Sequence, residues 1–131
     1  MPTAYLLDAS ALIALTLAEH EHHRHALKWS RTADLMALCP ITEGALVRTL
    51  LRLGESGTTV QAILDALHRA PRWTFWPDEI SYRSLDLASL QGHPQAADAY
   101  LVALASHHGV QLVTLDRALA ATYPDHTLLL P

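Results

Sequence analysis

Ala4-Tyr5-Leu6-Leu7-Asp8-Ala9-Ser10-Ala11-Leu12 is the stretch on which the architecture turns. Four apolar residues stop at an acid, the mark of a short strand buried on both faces. From Ala9 to Leu17 the apolar positions suit a helix, with Asp8 or Ser10 placed to cap it. A buried strand feeding a helix is half of a βαβ unit, and the same pattern recurs. After a polar break at Glu19 to His22, a helix runs through Ala26, Leu27 and Trp29. Leu35-Met36-Ala37-Leu38-Cys39 is a second buried strand, stopped by Pro40. Ala45, Leu46, Leu50, Leu51 and Leu53 fit a helix ending near Gly54, and Thr58 or Thr59 can cap another through Val60, Ile63, Leu64 and Leu67. Trp73-Thr74-Phe75-Trp76 is strand-like between Pro71 and Pro77, and Asp78 or Ser81 opens an expected helix over Tyr82, Leu85 and Leu87. Beyond the loop Gln91-Gly92-His93-Pro94, a helix marked by Ala97, Leu101, Leu104 and Ala105 reaches His108 and stops at Gly109. Val110-Gln111-Leu112-Val113-Thr114 is a strand, Asp116 to Ala121 a short helix, and Thr127 to Leu130 a last strand. This alternation predicts an α/β class, a three-layer α/β/α domain with a mainly parallel central sheet.

The 131 residues suit a single domain over 1–131, with no repeat and no Gly/Ser/Pro-rich linker. Hydrophobic residues are 50% and charged ones 17%, so the chain is expected to fold. One cysteine, Cys39, excludes a disulfide framework and a Cys-rich zinc finger. Met1-Pro2-Thr3-Ala4-Tyr5 has no basic region and Asp8 interrupts the apolar run, so no secretion leader is expected. No uncharged stretch reaches the ~20 residues of a membrane span. The expectation is a cytoplasmic protein without membrane contact. A net charge of −4 argues against a simple basic nucleic-acid binder. It leaves room for a nuclease that gathers carboxylates around metal ions. Eight of the nine basic residues are arginine, which suits bidentate phosphate contacts.

An open α/β sheet places functional groups outside the carboxyl ends of its strands. Asp8 directly follows the first strand, and Glu43 follows the second by a short Pro-containing turn. Asp116 lies three residues past Val113, and Asp98 opens the preceding helix, within reach of the same edge. Four acids far apart in sequence can therefore meet at one rim. Each also lies near a helix N-terminus, where an acid caps N–H groups or complements the dipole, so capping stands as the alternative for Asp8 and Asp116. Glu43 and Asp98 have Pro40 and Gln95 three residues earlier, which cannot complete a capping box. If the acids meet, hard oxygen donors without a nearby cysteine favour Mg2+ or Mn2+ over Zn2+. Such ions activate water for attack on a phosphodiester, and no covalent protein nucleophile is needed. Hydroxyls such as Ser10, Thr42 and Thr114 would orient carboxylates or water.

At these residues the chain resembles the PIN-domain ribonucleases, and in order, spacing and length the VapC-type toxins of bacterial toxin–antitoxin pairs. The resemblance rests on Tyr5-Leu6-Leu7-Asp8-Ala9-Ser10-Ala11-Leu12 and Thr42-Glu43-Gly44-Ala45-Leu46-Val47-Arg48. It is strongest over Ala97-Asp98-Ala99-Tyr100-Leu101-Val102-Ala103-Leu104-Ala105, His108-Gly109 and Leu112-Val113-Thr114-Leu115-Asp116-Arg117. It implies that Asp8, Glu43, Asp98 and Asp116 are the metal ligands and catalytic acids of a Mg2+- or Mn2+-dependent endoribonuclease leaving 5′-phosphate and 3′-hydroxyl ends. It implies an RNA substrate, a cognate antitoxin that covers or enters the site, and a homodimer. Ser10 and Thr114 match small hydroxyl positions beside the acids. Arg48 is a phosphate or antitoxin contact by the same resemblance, and an exposed solubilising charge otherwise.

Other features fit ordinary structural roles. Among His20, His22, His23 and His25 no pair is spaced i, i+4, so a solvated helix start is expected, with adventitious metal binding as the alternative. Trp29, Trp73 and Trp76 are expected in the core or an interface, with stacking on RNA bases as the alternative. Cys39 reads as a buried small hydrophobe. The Arg69-Ala70-Pro71-Arg72 stretch is a solvated turn or a phosphate contact. Two rivals to the nuclease stand: a non-catalytic PIN-like protein-binding module, and a phosphotransferase or phosphatase using Asp8 as nucleophile. The latter commonly keeps a second acid two residues on, where this chain has Ser10.

Overall fold

A computed structural model of the chain describes residues 3–131. The leader reading at Met1 and Pro2 lies outside the described residues. Five strands form, β1 (Ala4–Leu7), β2 (Leu35–Leu38), β3 (Trp73–Phe75), β4 (Gln111–Thr114) and β5 (Thr127–Leu129). All pair in parallel, in the order β3-β2-β1-β4-β5. Among the described residues six α-helices form, α1 (Ala9–Thr16), α2 (His23–Ser30), α3 (Pro40–Arg52), α4 (Gly57–Arg69), α5 (Gln95–His107) and α6 (Arg117–Thr122).

Strand alternation divides the core between the two faces. Leu7, Met36 and Val113 pack with α1, α3 and α4 through Ala11, Leu12, Leu46, Leu50 and Val60. Leu6, Ala37 and Leu112 face the other way, onto Tyr100, Leu101, Leu104 and Leu119 of α5 and α6. Each fully buried leucine contributes roughly 1.5–3 kcal/mol of transfer free energy. The three layers and the parallel sheet agree with the sequence reading. Gly109 takes φ +69 and ends α5 before β4, as its position after the apolar helix face requires.

The departures have local causes. Pro40 does not separate strand from loop but opens α3 as its first residue, where a missing N–H costs nothing. Thr42 Oγ1 accepts the Cys39 N–H at 3.1 Å, tying down that helix start. α4 is capped by Ser56, which accepts from Thr59, and not by Thr58 or Thr59. The helix expected over Tyr82, Leu85 and Leu87 is absent; only 3-10 turns form, at Tyr82–Ser84 and Leu87–Ser89. Ser84 and Ser89 bond the carbonyls of Ser81 and Asp86, competing with helical pairing. Tyr82 and Leu87 stay exposed, so no apolar stripe holds a helix to the core.

Candidate active site

The sheet order reverses between β1 and β4, because the chain leaves β1 towards β2 and returns to β4 on the opposite side. The crevice outside the carboxyl ends of these two strands is where such sheets hold ligands. Asp8 and Asp116 follow those strands, and Asp98 enters from the first turn of α5.

Asp8 is only 4% exposed. Its Oδ1 accepts the Ser10 hydroxyl at 2.6 Å and the Ala11 N–H at 2.9 Å, capping α1. Its Oδ2 accepts the Thr114 hydroxyl. Burial raises its carboxyl pKa, the three donors offset part of that rise, and the Asp116 charge adds to it. Ser10 Oγ also accepts the Leu115 N–H at 3.0 Å, so it braces the turn after β4. Asp116 caps α6, with Oδ1 accepting from Ala118 at 2.9 Å and Leu119 at 3.2 Å.

Asp98 differs from both. Among the described residues no hydrogen bond reaches its side chain, and Pro94 occupies the cap position of its helix. Burial, then the charges of Asp8 and Asp116, push its carboxyl up to about 6. Capping therefore accounts for Asp8 and Asp116, but not for Asp98.

Glu43 is placed in the first turn of α3, yet it is engaged elsewhere: its Oε2 lies 2.6 Å from His68 Nε2. It is not among the charges that raise Asp8 or Asp98. The His68 ring in turn tilts against Phe75 at 5.4 Å. Sequence reasoning missed His68. The signal was the α3–α4 hairpin, whose antiparallel path returns the last turn of α4 to the first turn of α3. Arg48 is exposed one turn further along, its guanidinium folded over Gly44, where a Cβ would lie 3.4 Å from Nη1.

The donor chemistry of the three aspartates suits a hard divalent cation: oxygen ligands only, in mutual repulsion that a cation would relieve. Among the described residues no three His, Cys, Asp or Glu side chains are grouped into a ready-made cage. The rim thus concentrates carboxylate charge without a preassembled cage.

The remaining expectations resolve simply. In the histidine cluster His23 Nδ1 meets the Ala14 carbonyl at 2.9 Å, and His20 Nδ1 accepts the His22 N–H at 3.0 Å. Trp29 packs edge-on against Tyr5, and Trp76 stacks on His108 at 3.7 Å between ring centroids. Cys39 is buried, which pushes its thiol up and keeps it unreactive. Arg72 is structural: its Nη2 donates to the carbonyls of Ser30 and Ala33 where α2 ends.

The family model of the PIN domain matches residues 5–123. Ribonuclease VapC29 of Mycobacterium tuberculosis is 44% identical over 127 residues, spanning 96% of this chain and 96% of that protein. Ribonuclease VapC39 of the same organism is 34% identical over 125 residues, spanning 88% and 90% respectively. The crystal structure of Mycobacterium tuberculosis VapC20, described as a sarcin–ricin loop cleaving toxin, superposes with a TM-score of 0.72 over 97% of this chain and 99% of that one. At 15% identity that likeness speaks for the fold alone.

Proposed function

From a chain that belongs to the PIN-domain family, and within it to the VapC-type ribonucleases, we propose a metal-dependent endoribonuclease. On this reading the chain is the RNA-hydrolysing toxin of a toxin–antitoxin pair. Asp8, Asp98 and Asp116 would hold Mg2+ or Mn2+, with Glu43 as the fourth acid once it leaves His68. The observation that carries this reading is Asp98, an uncapped and half-buried carboxylate held in the field of two others.

When bound, the divalent cation supplies positive charge for the cleaved phosphodiester and the departing oxygen. Asp8 is the rigid member, fixed at both oxygens by Ser10, Ala11 and Thr114. Asp116 is oriented by the first turn of α6. Asp98, with no hydrogen-bond partner among the described residues, is the acid whose oxygens are free for the cation. Electrostatic preorganisation of this kind needs no covalent nucleophile.

A cognate antitoxin protein would hold the enzyme inactive by covering or entering the rim, and the active form would be a homodimer. We place the protein in the cytoplasm with its RNA; among the described residues no helix is long and apolar enough to cross a membrane. The binding-module alternative leaves the unfavourable placement of Asp98 without a purpose. A phospho-aspartate mechanism conflicts with Asp8 being 4% exposed and engaged at both oxygens.

Cleavage of total cellular RNA by the purified protein tests the proposal, with Mg2+, Mn2+ or EDTA and beside Asp8→Asn and Asp98→Asn. Cutting that needs metal and is lost in both variants supports it. Equal cutting by wild type and variants, or none in any condition, overturns it.

A further inference from the structure

Beside the acid rim lies a groove of about 460 Å3, between the loop Ser89–Gln95 and α6. Asp98 and Asp116 form one end of it, so whatever occupies the groove is held next to the reacting phosphodiester. Its other walls include Leu90, Gln91, Gln95, Leu119 and Tyr123. No Lys, Arg or His lines it. A phosphate would meet two carboxylates there with no cationic side chain to offset them, so this groove is not built to track the RNA backbone. An uncharged, flat group with an apolar face and a hydrogen-bonding edge matches the lining. In RNA that group is an unstacked nucleobase.

Two of its lining residues, Gln95 and Tyr123, are arranged for such a guest. Gln95 Oε1 accepts the Gln91 N–H at 2.7 Å, which fixes the carboxamide against the loop. Among the described residues its amide N–H groups have no acceptor, and they remain available to a base edge. Tyr123 is half-buried against the core, with its backbone carbonyl accepting the Thr127 hydroxyl at 2.8 Å. Its half-buried ring lines the groove and offers a large, rigid apolar surface there. The volume is within the range of small-ligand sites, ~300–1,000 Å3.

We propose that this groove is a nucleobase subsite that receives, unstacked, one of the two bases flanking the cleaved phosphodiester, through stacking on Tyr123 and edge recognition by Gln95. The inference rests on the ribonuclease reading and adds a selectivity element to it.

The test uses a short single-stranded RNA carrying a mapped cleavage site, with two companions made abasic at one or other flanking nucleotide. Wild type, Gln95→Ala, Tyr123→Ala and Tyr123→Phe are compared in Mn2+, with Asp8→Asn as the inactive control. Removing one of the two bases should lower wild-type kcat/KM by about tenfold, the size of a lost base–aromatic stack. Tyr123→Phe should keep that penalty. Tyr123→Ala and Gln95→Ala should cut the parent RNA about tenfold more slowly, yet cut the abasic companion as fast as wild type does. Gln95 is exposed, so its variant remains informative if Tyr123→Ala unfolds. Active wild type with no base penalty, or the same penalty in every variant, overturns the subsite alone. A wild type as inactive as Asp8→Asn overturns the ribonuclease reading and the subsite with it.

Discussion

The Thr114 hydroxyl donates to Asp8 Oδ2, while its oxygen receives the Asp116 N–H at 2.9 Å. One fully buried hydroxyl therefore ties the acid after β1 to the acid after β4. Thr114→Val keeps the shape and removes both bonds. It should cost about 1–3 kcal/mol of stability, the penalty of leaving buried partners unmet. Turnover should fall about tenfold with KM little changed, since substrate binding does not touch the threonine. Thr114→Ser should restore most of both. Denaturant unfolding and steady-state cleavage assays decide the matter, and an unaltered Thr114→Val protein would show the tie to be incidental.

Asp98 predicts how stability responds to pH. Its carboxyl titrates at about 6 in the folded chain against an ordinary 3.8. Between those values the folded state holds the proton more firmly than the unfolded chain does, so stability declines as pH rises through that window. Asp8, also raised, adds the same sign. Asp98→Asn removes its share. In EDTA at pH 7.5 this variant should melt roughly 2–5 °C above wild type, a modest gain because the half-buried group is partly screened by solvent. Below the ordinary carboxyl value the two melting curves should coincide. A gain that persists there would assign the effect to something other than charge.

Metal should reverse the ranking of the same pair. Millimolar Mn2+ binds the folded state, and occupancy of the acid rim should raise wild-type Tm by roughly 2–8 °C. Asp98→Asn and Asp116→Asn should lose most of that increment, and EDTA should abolish it in wild type. Calorimetric scans at matched ionic strength provide the measurement. An equal increment in all three proteins would place the ion elsewhere.

Arg72 separates a structural arginine from an RNA contact. Its guanidinium satisfies two backbone carbonyls at the end of α2. Arg72→Ala should cost about 1–3 kcal/mol of folding stability. The salt dependence of RNA binding should stay the same, whereas a lost phosphate contact would lower the slope of log K against log salt by about 1.

All five strands were legible because each is a short apolar run with an abrupt polar or proline end, and parallel strands buried on both faces leave that trace. Asp8 and Asp116 were legible for the same reason, as the first polar groups beyond such runs. The segment from Tyr82 to Leu87 misled because helical spacing of apolar residues says nothing of whether a surface exists to receive them. The Glu43–His68 pair was hidden in the register of a helical hairpin, which no local pattern reports. The tie from Asp8 through Thr114 was visible only as two small hydroxyls near acids. Its closure depends on β1 and β4 being neighbours, a fact of topology.

That adjacency also sets the order of events during synthesis. β1 is the central strand, paired with β2 on one side and β4 on the other. Parallel neighbours need long crossovers, and contacts between such distant segments form late and slowly. A chain not yet extended past Asp116 lacks one wall of the rim, and until β4 docks beside β1 Asp8 also lacks the Thr114 hydroxyl. The acid rim thus closes only once β4 has docked beside β1, late in the assembly of the sheet.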